Sequence, residues 1–323
     1  MSVLVFVENW DGKFKKLTFE LVSYASDLAK LLKTTVVALS VGSVEKEELE
    51  KLGKYGAAKI IAATNEKLKV LDNRAFTDVI ADFARKEAAE VIVLANNITG
   101  KALAPRLSVN LNAGIASGVG KLPISLDPFI ISRKVYSGNA FANVRIKTPC
   151  KILTLAQNSF ELVMTENKAS IENHPVQIKD ELFTTNVLEV QKQTGKIVLT
   201  DAEIVISGGR GMKSPDNWPP LVELAGLLGG ALACSRPVSD EGWRPHDEHT
   251  GQTGKIIAPN LYIAVGISGS TQHIAGVSSS KYIVAINIDK DAPIFTNAQY
   301  GIIGDAAKVL PKLIEAVKEV KGK

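Results

Sequence analysis

Hydrophobic residues in the first 110 positions fall into short continuous runs and into runs with apolar residues three or four positions apart. The continuous runs predict buried strands, and the spaced runs predict amphipathic helices. The strands are predicted over 3–7, 36–41, 59–63 and 91–94, and the helices over 17–32, 46–54, 76–86 and 99–111. Because strands alternate with helices, this region predicts a parallel sheet that is covered on both faces.

The pattern changes between about 114 and 156. Two stretches, 129–136 and 140–146, flank turn residues at 137–139 and predict an antiparallel hairpin, and a further strand is predicted over 151–155. Residues 165–195 are polar and lack a long apolar period, so they are predicted to connect two domains.

Strand and helix patterns alternate again after this connection. Strands are predicted over 204–206, 261–265 and 282–286, and helices over 221–228, 271–275 and 306–320. The chain is therefore predicted to be an α/β protein with two Rossmann-like domains and mainly parallel sheets. The N-terminal domain is predicted over 1–190 and the C-terminal domain over 191–323.

Composition narrows the class of protein. The 323 residues are 46% hydrophobic and 22% charged, as expected for a soluble protein of about two domains. The net charge of +4 is small for this length and argues against a nucleic-acid partner. No apolar run approaches the ~20 residues that span a bilayer, and the hydrophobic start has no basic leader. Cys150 and Cys234 belong to no Cys-x-x-Cys pair, so two reduced thiols in a cytoplasmic protein are expected.

Two glycine-rich segments directly follow predicted strands. They are Ser-Gly-Gly-Arg-Gly at 207–211 and Gly-Ile-Ser-Gly at 266–269. Glycine lets the backbone approach a ligand closely, and a strand that ends in such a turn presents N–H groups to a phosphate. Neither segment is a Walker A loop or a Gly-x-Gly-x-x-Gly turn, and a plain turn or a capped helix remains the alternative for each. Their clustering predicts a site for a large anionic cofactor.

Histidines add candidate chemistry to this region. His273 lies four residues after Gly269, so it is placed to point into the same cleft, although a buried structural role is the alternative. His246 and His249 lie three apart in a loop without a third ligand, so we expect them to be solvated and expect no metal site. Asp305 either bonds a ribose hydroxyl or caps the last helix.

The order of the motifs is more specific than any one of them. The series comprises Ser-Gly-Gly-Arg-Gly at 207–211, Ser-Arg at 235–236, Gly-Gln-Thr-Gly-Lys at 251–255, Gly-Ile-Ser-Gly at 266–269, Gln-His at 272–273 and Ala-Ile-Asn at 285–287. In this order they resemble the α subunit of the electron transfer flavoproteins. The resemblance is closest over 204–317 and looser over the first domain.

This resemblance implies an FAD site in the C-terminal domain and a partner β subunit that the N-terminal domain contacts. It implies a carrier rather than a substrate-transforming enzyme, used in processes such as fatty acid β-oxidation. The heterodimer would accept electrons from acyl-CoA and related dehydrogenases and pass them singly to a membrane quinone oxidoreductase.

The resemblance also implies roles for individual residues, none of them catalytic. Arg236 is expected against the isoalloxazine ring, the Thr253 hydroxyl at flavin N5 and His273 near flavin O2. The other residues expected to bind FAD are Arg210, Ser235, Gln252, Gly254, Ser268, Gly269, Gln272, Asn287 and Asp305, the last two on the adenosine side. A cation ~4 Å from a charge is worth about 4 kcal/mol at an effective dielectric of ~20, which is roughly 170 mV for one electron. Arg236 and His273 are therefore expected to raise the flavin potential.

Three alternatives remain open. An NAD-dependent enzyme could use such a domain, although no acidic residue follows a Gly-x-Gly-x-x-Gly turn at the usual distance. A nucleotide-binding regulatory module would leave Arg236, Thr253 and His273 without a purpose. Within the family, a bifurcating complex would oxidise NADH with a second FAD held largely by the β chain. Flavin content and reactivity with NADH distinguish these alternatives.

Overall fold

A computed structural model of the chain describes residues 1–138, 140–183, 185–190 and 197–322. The chain divides into two compact units, Met1–Val190 and Gln191–Lys323. Asn139 of the predicted hairpin turn, and Thr184 and residues 191–196 of the predicted connection, lie outside the described residues. None of the helices in the described ranges is long and apolar enough to cross a membrane.

The first unit is built on one large mixed sheet. Its elements are β1 Ser2–Val7, α1 Lys16–Leu32, β2 Thr35–Val41, α2 Lys46–Gly53, β3 Lys59–Thr64, α3 Asn73–Lys86, β4 Ala89–Ala95, α4 Ile98–Leu111, β5 Gly114–Val119, β6 Ser125–Leu126, β7 Phe129–Val135, β8 Ala140–Arg145, β9 Lys151–Leu155 and β10 Ser170–Pro175. The strand order is β10-β3-β2-β1-β4-β9-β5-β7-β6, and β8 pairs with β7. Pairs from β10 to β5 are parallel, whereas β7 pairs antiparallel with β5, β6 and β8.

Helices bury both faces of this sheet, which explains the continuous apolar runs. In β1, Val3 and Val5 belong to the core beneath α1 and α2, while Leu4 belongs to the core beneath α3 and α4. A strand that is buried on both faces has no polar alternation. The predicted α/β architecture with mainly parallel sheets is confirmed, and so is the antiparallel hairpin of β7 and β8. Helix α3 begins three residues before the predicted start because the Asp72 side chain accepts from the N–H groups of Arg74 and Ala75.

Strand β10 lies within the segment that was predicted to be a connection. It pairs in parallel with β3 at the edge of the sheet, from Ser170 opposite Lys59 to Pro175 opposite Thr64. Most of its side chains are exposed, so backbone hydrogen bonds hold it and hydrophobic periodicity is absent. The prediction of a broken connection over 165–195 is therefore wrong for these six residues.

The second unit is a smaller, fully parallel α/β unit. Its elements are β11 Ile204–Gly208, α5 Pro219–Leu228, β12 Ala231–Cys234, α6 Arg236–Asp240, β13 Leu261–Val265, α7 Thr271–Val277, β14 Tyr282–Asn287, β15 Tyr300–Ile303 and α8 Ala306–Lys321. The strand order is β12-β11-β13-β14-β15. Helices α5 and α8 contribute to one core, and α7 contributes to the other. The sequence pattern missed β12, α6 and β15 because four or five residues are too few to show a period.

The direction of strand progression reverses beside β11 in this second sheet. From β11 the chain passes through α5 to β12 on one side, and it then returns to β13 on the other side of β11. The loops that follow β11 and β13 therefore leave in different directions at the carboxyl edge. Open α/β sheets bind their ligands in the crevice that such a reversal creates.

Candidate cofactor-binding site

A cavity of about 600 Å³ opens at this reversal. Its walls are the loops that follow β11, β12, β13 and β14, together with residues 249–253. Of the residues predicted to bind a cofactor, the cavity wall contains Arg210, Ser235, Arg236, Gln252, Thr253, Ser268, Gly269, Gln272, His273 and Asn287. Residues from all six motifs of the series thus meet at one place in the fold.

Glycines allow the loops after β11 and β13 to touch backbone to backbone. The N–H of Gly211 donates to the carbonyl of Gly266 at 2.9 Å, and the N–H of Gly209 donates to Val265 at 2.9 Å. A Cβ atom on Gly209 would lie 2.2 Å from the Gly266 oxygen, and one on Gly266 would lie 2.8 Å from backbone atoms of Gly211. Part of the glycine pattern therefore serves contact between the two loops rather than direct contact with a ligand.

The turn after β13 presents backbone donors to the cavity. Gly269 has a φ of +88°, and a Cβ atom there would lie 2.5 Å from the nitrogen of Ile294. The Ile294 N–H donates to the Ser268 carbonyl at 2.9 Å and holds the turn in place. Within the part of the chain that the structure describes, the N–H groups of Ser268, Gly269 and Ser270 have no protein acceptor. Such a row of free N–H groups suits an anionic group.

The charged side chains of the cavity are mainly cationic. Arg210 and Arg236 face one carboxylate in the described lining, that of Asp289. Arg236 is 63% exposed, and its Nε donates to Asp240 at 3.3 Å. The excess of positive charge favours an anionic ligand, but the exposed ion pair weakens the field that Arg236 exerts on a bound group.

His273 is a buried neutral imidazole in the wall of this cavity. Its Nε2 lies 2.8 Å from the hydroxyl of Tyr262, which is fully buried in β13. Burial first, and then the neighbouring His249, lower the pKa of His273 to about 4, while the Thr250 carbonyl beside the ring raises it. Burial also raises the pKa of Tyr262, so the phenol keeps its proton. From the sequence, Tyr262 is predictable only as a strand residue, because its partner His273 comes from another element.

His249 lies inside the cavity wall and not at the surface. Only 2% of the residue is exposed, and its ring centre lies 5.5 Å from that of the exposed His246. The N–H of Lys255 donates to the His249 carbonyl at 2.9 Å, which folds the 251–254 loop over the ring. The expectation of a solvated residue is therefore correct for His246 and wrong for His249. Nowhere in the described ranges do three His, Cys, Asp or Glu side chains cluster closely enough to hold a metal ion.

Gly254 does not line the cavity but shapes the loop that does. Its N–H donates to the Gly251 carbonyl at 3.1 Å. A Cβ atom at this position would lie 2.5 Å from the His249 carbonyl oxygen and 2.8 Å from its Nδ1. The residue is therefore required where the loop crosses His249.

Asp305 also lies outside the cavity wall. Its side chain accepts from the N–H of Ala307 at 3.0 Å and caps α8, and it forms an ion pair with Lys213 at 3.2 Å. These two partners lower the pKa of the carboxyl. Asp305 borders a second depression of about 300 Å³, which shares Gly211 with the main cavity. It therefore stays a predicted contact on the adenosine side.

Comparisons with known proteins agree with the predicted resemblance. The model described as "Electron transfer flavoprotein domain" matches residues 3–179, and that described as "Electron transfer flavoprotein FAD-binding domain" matches residues 198–278. The chain belongs to the electron transfer flavoprotein family. The second unit is therefore the FAD-binding part of this flavoprotein chain, and the predicted cofactor, FAD, is confirmed.

Three relatives match over nearly their whole length, and two of them are named α subunits. Electron transfer flavoprotein subunit alpha of Bacillus subtilis is 35% identical over 322 residues, which are 99% of this chain and 98% of the relative. The probable mitochondrial α subunit of Caenorhabditis elegans is 36% identical over 317 residues, which are 98% of this chain and 93% of the relative. Acryloyl-CoA reductase electron transfer subunit beta of Anaerotignum propionicum is 33% identical over 355 residues, which cover 99% of this chain and 96% of the relative.

The donor set of the cavity fits FAD. The free N–H groups of residues 268–270 and the Arg210 guanidinium suit phosphates, and the exposed Thr253 hydroxyl and neutral His273 suit the polar edge of a flavin. When bound, the flavin supplies the electron chemistry, and the chain supplies position and electrostatics.

Proposed function

We propose that the chain is the FAD-binding α subunit of a heterodimeric electron transfer flavoprotein that works in the cytoplasm. In this role it accepts electrons from acyl-CoA and related dehydrogenases, as in fatty acid β-oxidation, and passes them singly to a membrane quinone oxidoreductase. The convergence of ten of the twelve predicted FAD-binding residues on one cavity is the observation that carries the proposal.

The residues divide into those that hold the cofactor and those that set its potential. The N–H groups of residues 268–270 and Arg210 hold phosphates. Asn287 links the backbones of two loops that line the site. Its Nδ2 donates to the Ile267 carbonyl at 2.9 Å, and its Oδ1 accepts from the N–H of Asp289 at 3.0 Å. Ser235, Gln252 and Gln272 complete the polar wall.

Arg236, Thr253 and His273 are the residues proposed to face the flavin ring. At pH 7 His273 is neutral, so it does not act as a fixed charge. Arg236 supplies a cation, but solvent and Asp240 screen it. The combined rise in potential is therefore expected to be well below the roughly 170 mV that an unscreened charge would produce.

A β subunit is the proposed partner, and the first unit is proposed to contact it. The relatives named above are subunits by their names. In the first unit the β7–β8 hairpin exposes large apolar side chains, with Tyr136 82% and Phe141 62% accessible. Exposed clusters of this kind are typical of protein contact surfaces.

The relative from Anaerotignum propionicum favours exchange of electrons with CoA-linked enzymes. Its name makes it an electron transfer subunit of an acryloyl-CoA reductase. A reductase needs electrons delivered to it, so the second candidate function is a bifurcating complex of the same family that oxidises NADH. The two functions differ in flavin content and in their electron donor.

The test is to express the chain with its β subunit, purify the complex and record its visible spectrum. We expect flavin bands, one FAD released per heterodimer on denaturation, and reduction by an acyl-CoA dehydrogenase with its substrate but not by NADH. Two FAD and rapid reduction by NADH would establish the bifurcating function instead. A colourless, folded complex that takes up no added FAD would refute the proposal and leave a nicotinamide-dependent or regulatory protein.

A further inference from the structure

His249 is a buried titratable group of the cavity for which the proposed function has no role. It lines the cavity together with Arg236, Thr253 and His273. Its Nδ1 has no solvent contact and no hydrogen-bond partner in the described ranges of the chain. An unpartnered ring nitrogen is costly in a protein interior unless it acquires a partner or a proton in some state of the protein.

The surroundings of His249 hold it neutral as long as the cavity contains no extra negative charge. Burial, the neighbouring His246 and Arg236 lower its pKa below the ordinary value of 6.5, and Asp240 opposes them. His249 is also close enough to His273 to lower that pKa. The titratable and charged groups on the elements around it are Cys234 on β12, Arg236 and Asp240 on α6, Arg244, His246, Asp247 and Glu248 in the following turn, Lys255, and His273 on α7.

These neighbours leave little negative charge for His249 to pair with. The Glu248 carboxylate receives two bonds of 2.7 Å from Arg244 and is thereby neutralised. Asp240 pairs with Arg236. The exposed ring of His246 packs against His249 and gives the site an edge at the solvent. His249 is thus separated from solvent by one exposed ring, and what is missing around it is an anion that would hold a proton on its ring.

We propose that His249 is a proton-binding group of the flavin cavity, which takes one proton from solvent when negative charge enters the cavity. The proton is taken up at Nδ1 as a new N–H bond, and no other bond forms or breaks. The proposal rests on the proposed function in one respect: the negative charge that enters the cavity is that of the electrons passed to the FAD. Its consequence is that the electron affinity of the complex depends on pH through a residue of the α subunit.

The first test reads the protonation of His249 directly in the flavin-loaded heterodimer. The chain contains four histidines, so a histidine-labelled α subunit shows a small set of NMR signals that single substitutions assign. Their pH titration is compared between the oxidised complex and the complex reduced electrochemically. We expect the pKa of His249 to rise by about one unit or more on reduction, a tenfold gain in proton affinity. The NMR signal of His174, which lies in β10 of the first unit, serves as the control.

The second test measures the flavin midpoint potential against pH in the wild type, His249→Gln and the control His174→Gln. Between the oxidised and reduced pKa values of His249, the one-electron midpoint potential of the wild type and of the control should fall by an additional ~59 mV per pH unit. This slope corresponds to a tenfold change in the equilibrium constant for reduction. That added slope should be absent in His249→Gln. The NMR titration of the unaltered chain decides the question if the variant does not fold.

Three outcomes are informative. A rise in the His249 pKa on reduction, together with the lost slope, supports the proposal. A normal flavin whose reduction leaves the His249 pKa unchanged overturns it and leaves the proposed function intact. A complex without flavin overturns both.

Discussion

Replacing Gly269 with alanine tests the close approach that shapes the turn after β13. Gly269 has a φ of +88°, and a new Cβ atom would lie 2.5 Å from the nitrogen and 2.7 Å from the Cα of Ile294. The left-handed conformation costs an L-residue about 1–2 kcal/mol, and overpacking against backbone adds about 1–3 kcal/mol. Gly269→Ala should therefore lower the free energy of unfolding by about 2–5 kcal/mol.

Gly229 offers a matched control in the same unit. Its φ is +65°, and a Cβ atom there would meet nothing within 4 Å. Gly229→Ala should show only the conformational cost, about 1–2 kcal/mol. Because Gly229 lies at the end of α5, away from the cavity wall, this variant should bind FAD like the wild type.

The assay is urea unfolding of the complex, followed by its tryptophan fluorescence, to which Trp218 in the core of the second unit contributes. FAD affinity is measured in parallel from the recovery of free flavin fluorescence on dilution. Gly269→Ala should weaken FAD binding at least tenfold, which corresponds to about 1.4 kcal/mol. The reasoning fails if the two variants share one unfolding midpoint and one Kd for FAD.

Three further predictions concern single side chains. Tyr262→Phe removes the partner of His273 Nε2 and should lower the free energy of unfolding by about 1–3 kcal/mol, measured with urea at pH 8. The control Tyr300→Phe changes an exposed residue and should leave that free energy almost unchanged. Equal effects of the two substitutions would contradict the buried hydrogen bond. The pKa of His273 is about 4 in the folded chain and ~6.5 in the unfolded chain, so the unfolded chain holds more protons between these pH values. The free energy of unfolding therefore falls as the pH drops through this range, by about 3 kcal/mol at pH 4. His273→Gln should flatten that dependence in unfolding curves measured at pH 4.5 and 7.5, and an unchanged dependence would show that other groups cause it. Asp72→Ala removes the cap of α3 and should destabilise the first unit by about 1 kcal/mol without changing the Kd for FAD.

The strand and helix pattern of the first unit could be read from the chain because its causes are local. Continuous apolar runs occur where strands are buried on both faces, as in β1, and helical spacing occurs where one face is covered, as in α1. Strand β10 lacks this signal because its side chains are largely exposed and its pairing partner, β3, lies about a hundred residues earlier. Pairing at a sheet edge depends on backbone groups that every residue carries.

The candidate site was predictable to the extent that ligand-binding residues form short motifs. Glycine turns after strands, with Arg210, Arg236 and His273 nearby in sequence order, indicate an anionic cofactor before any contact is known. The same motifs do not reveal that Gly209 and Gly266 serve contact between two loops, nor that Gly254 and Asp305 stand outside the cavity wall. Those distinctions depend on which loops meet, and strand order decides that.

By itself, the sequence determined the alternation of strands and helices, the two-domain α/β class and the flavoprotein family, because periodicity and motif spacing are properties of neighbouring residues. Only the tertiary structure decided the protonation states of the cavity. His249 is buried beneath the 251–254 loop, and the ring of His273 meets the hydroxyl of Tyr262. Desolvation and hydrogen bonding set a pKa, and both depend on residues that come together only when the sheet has formed.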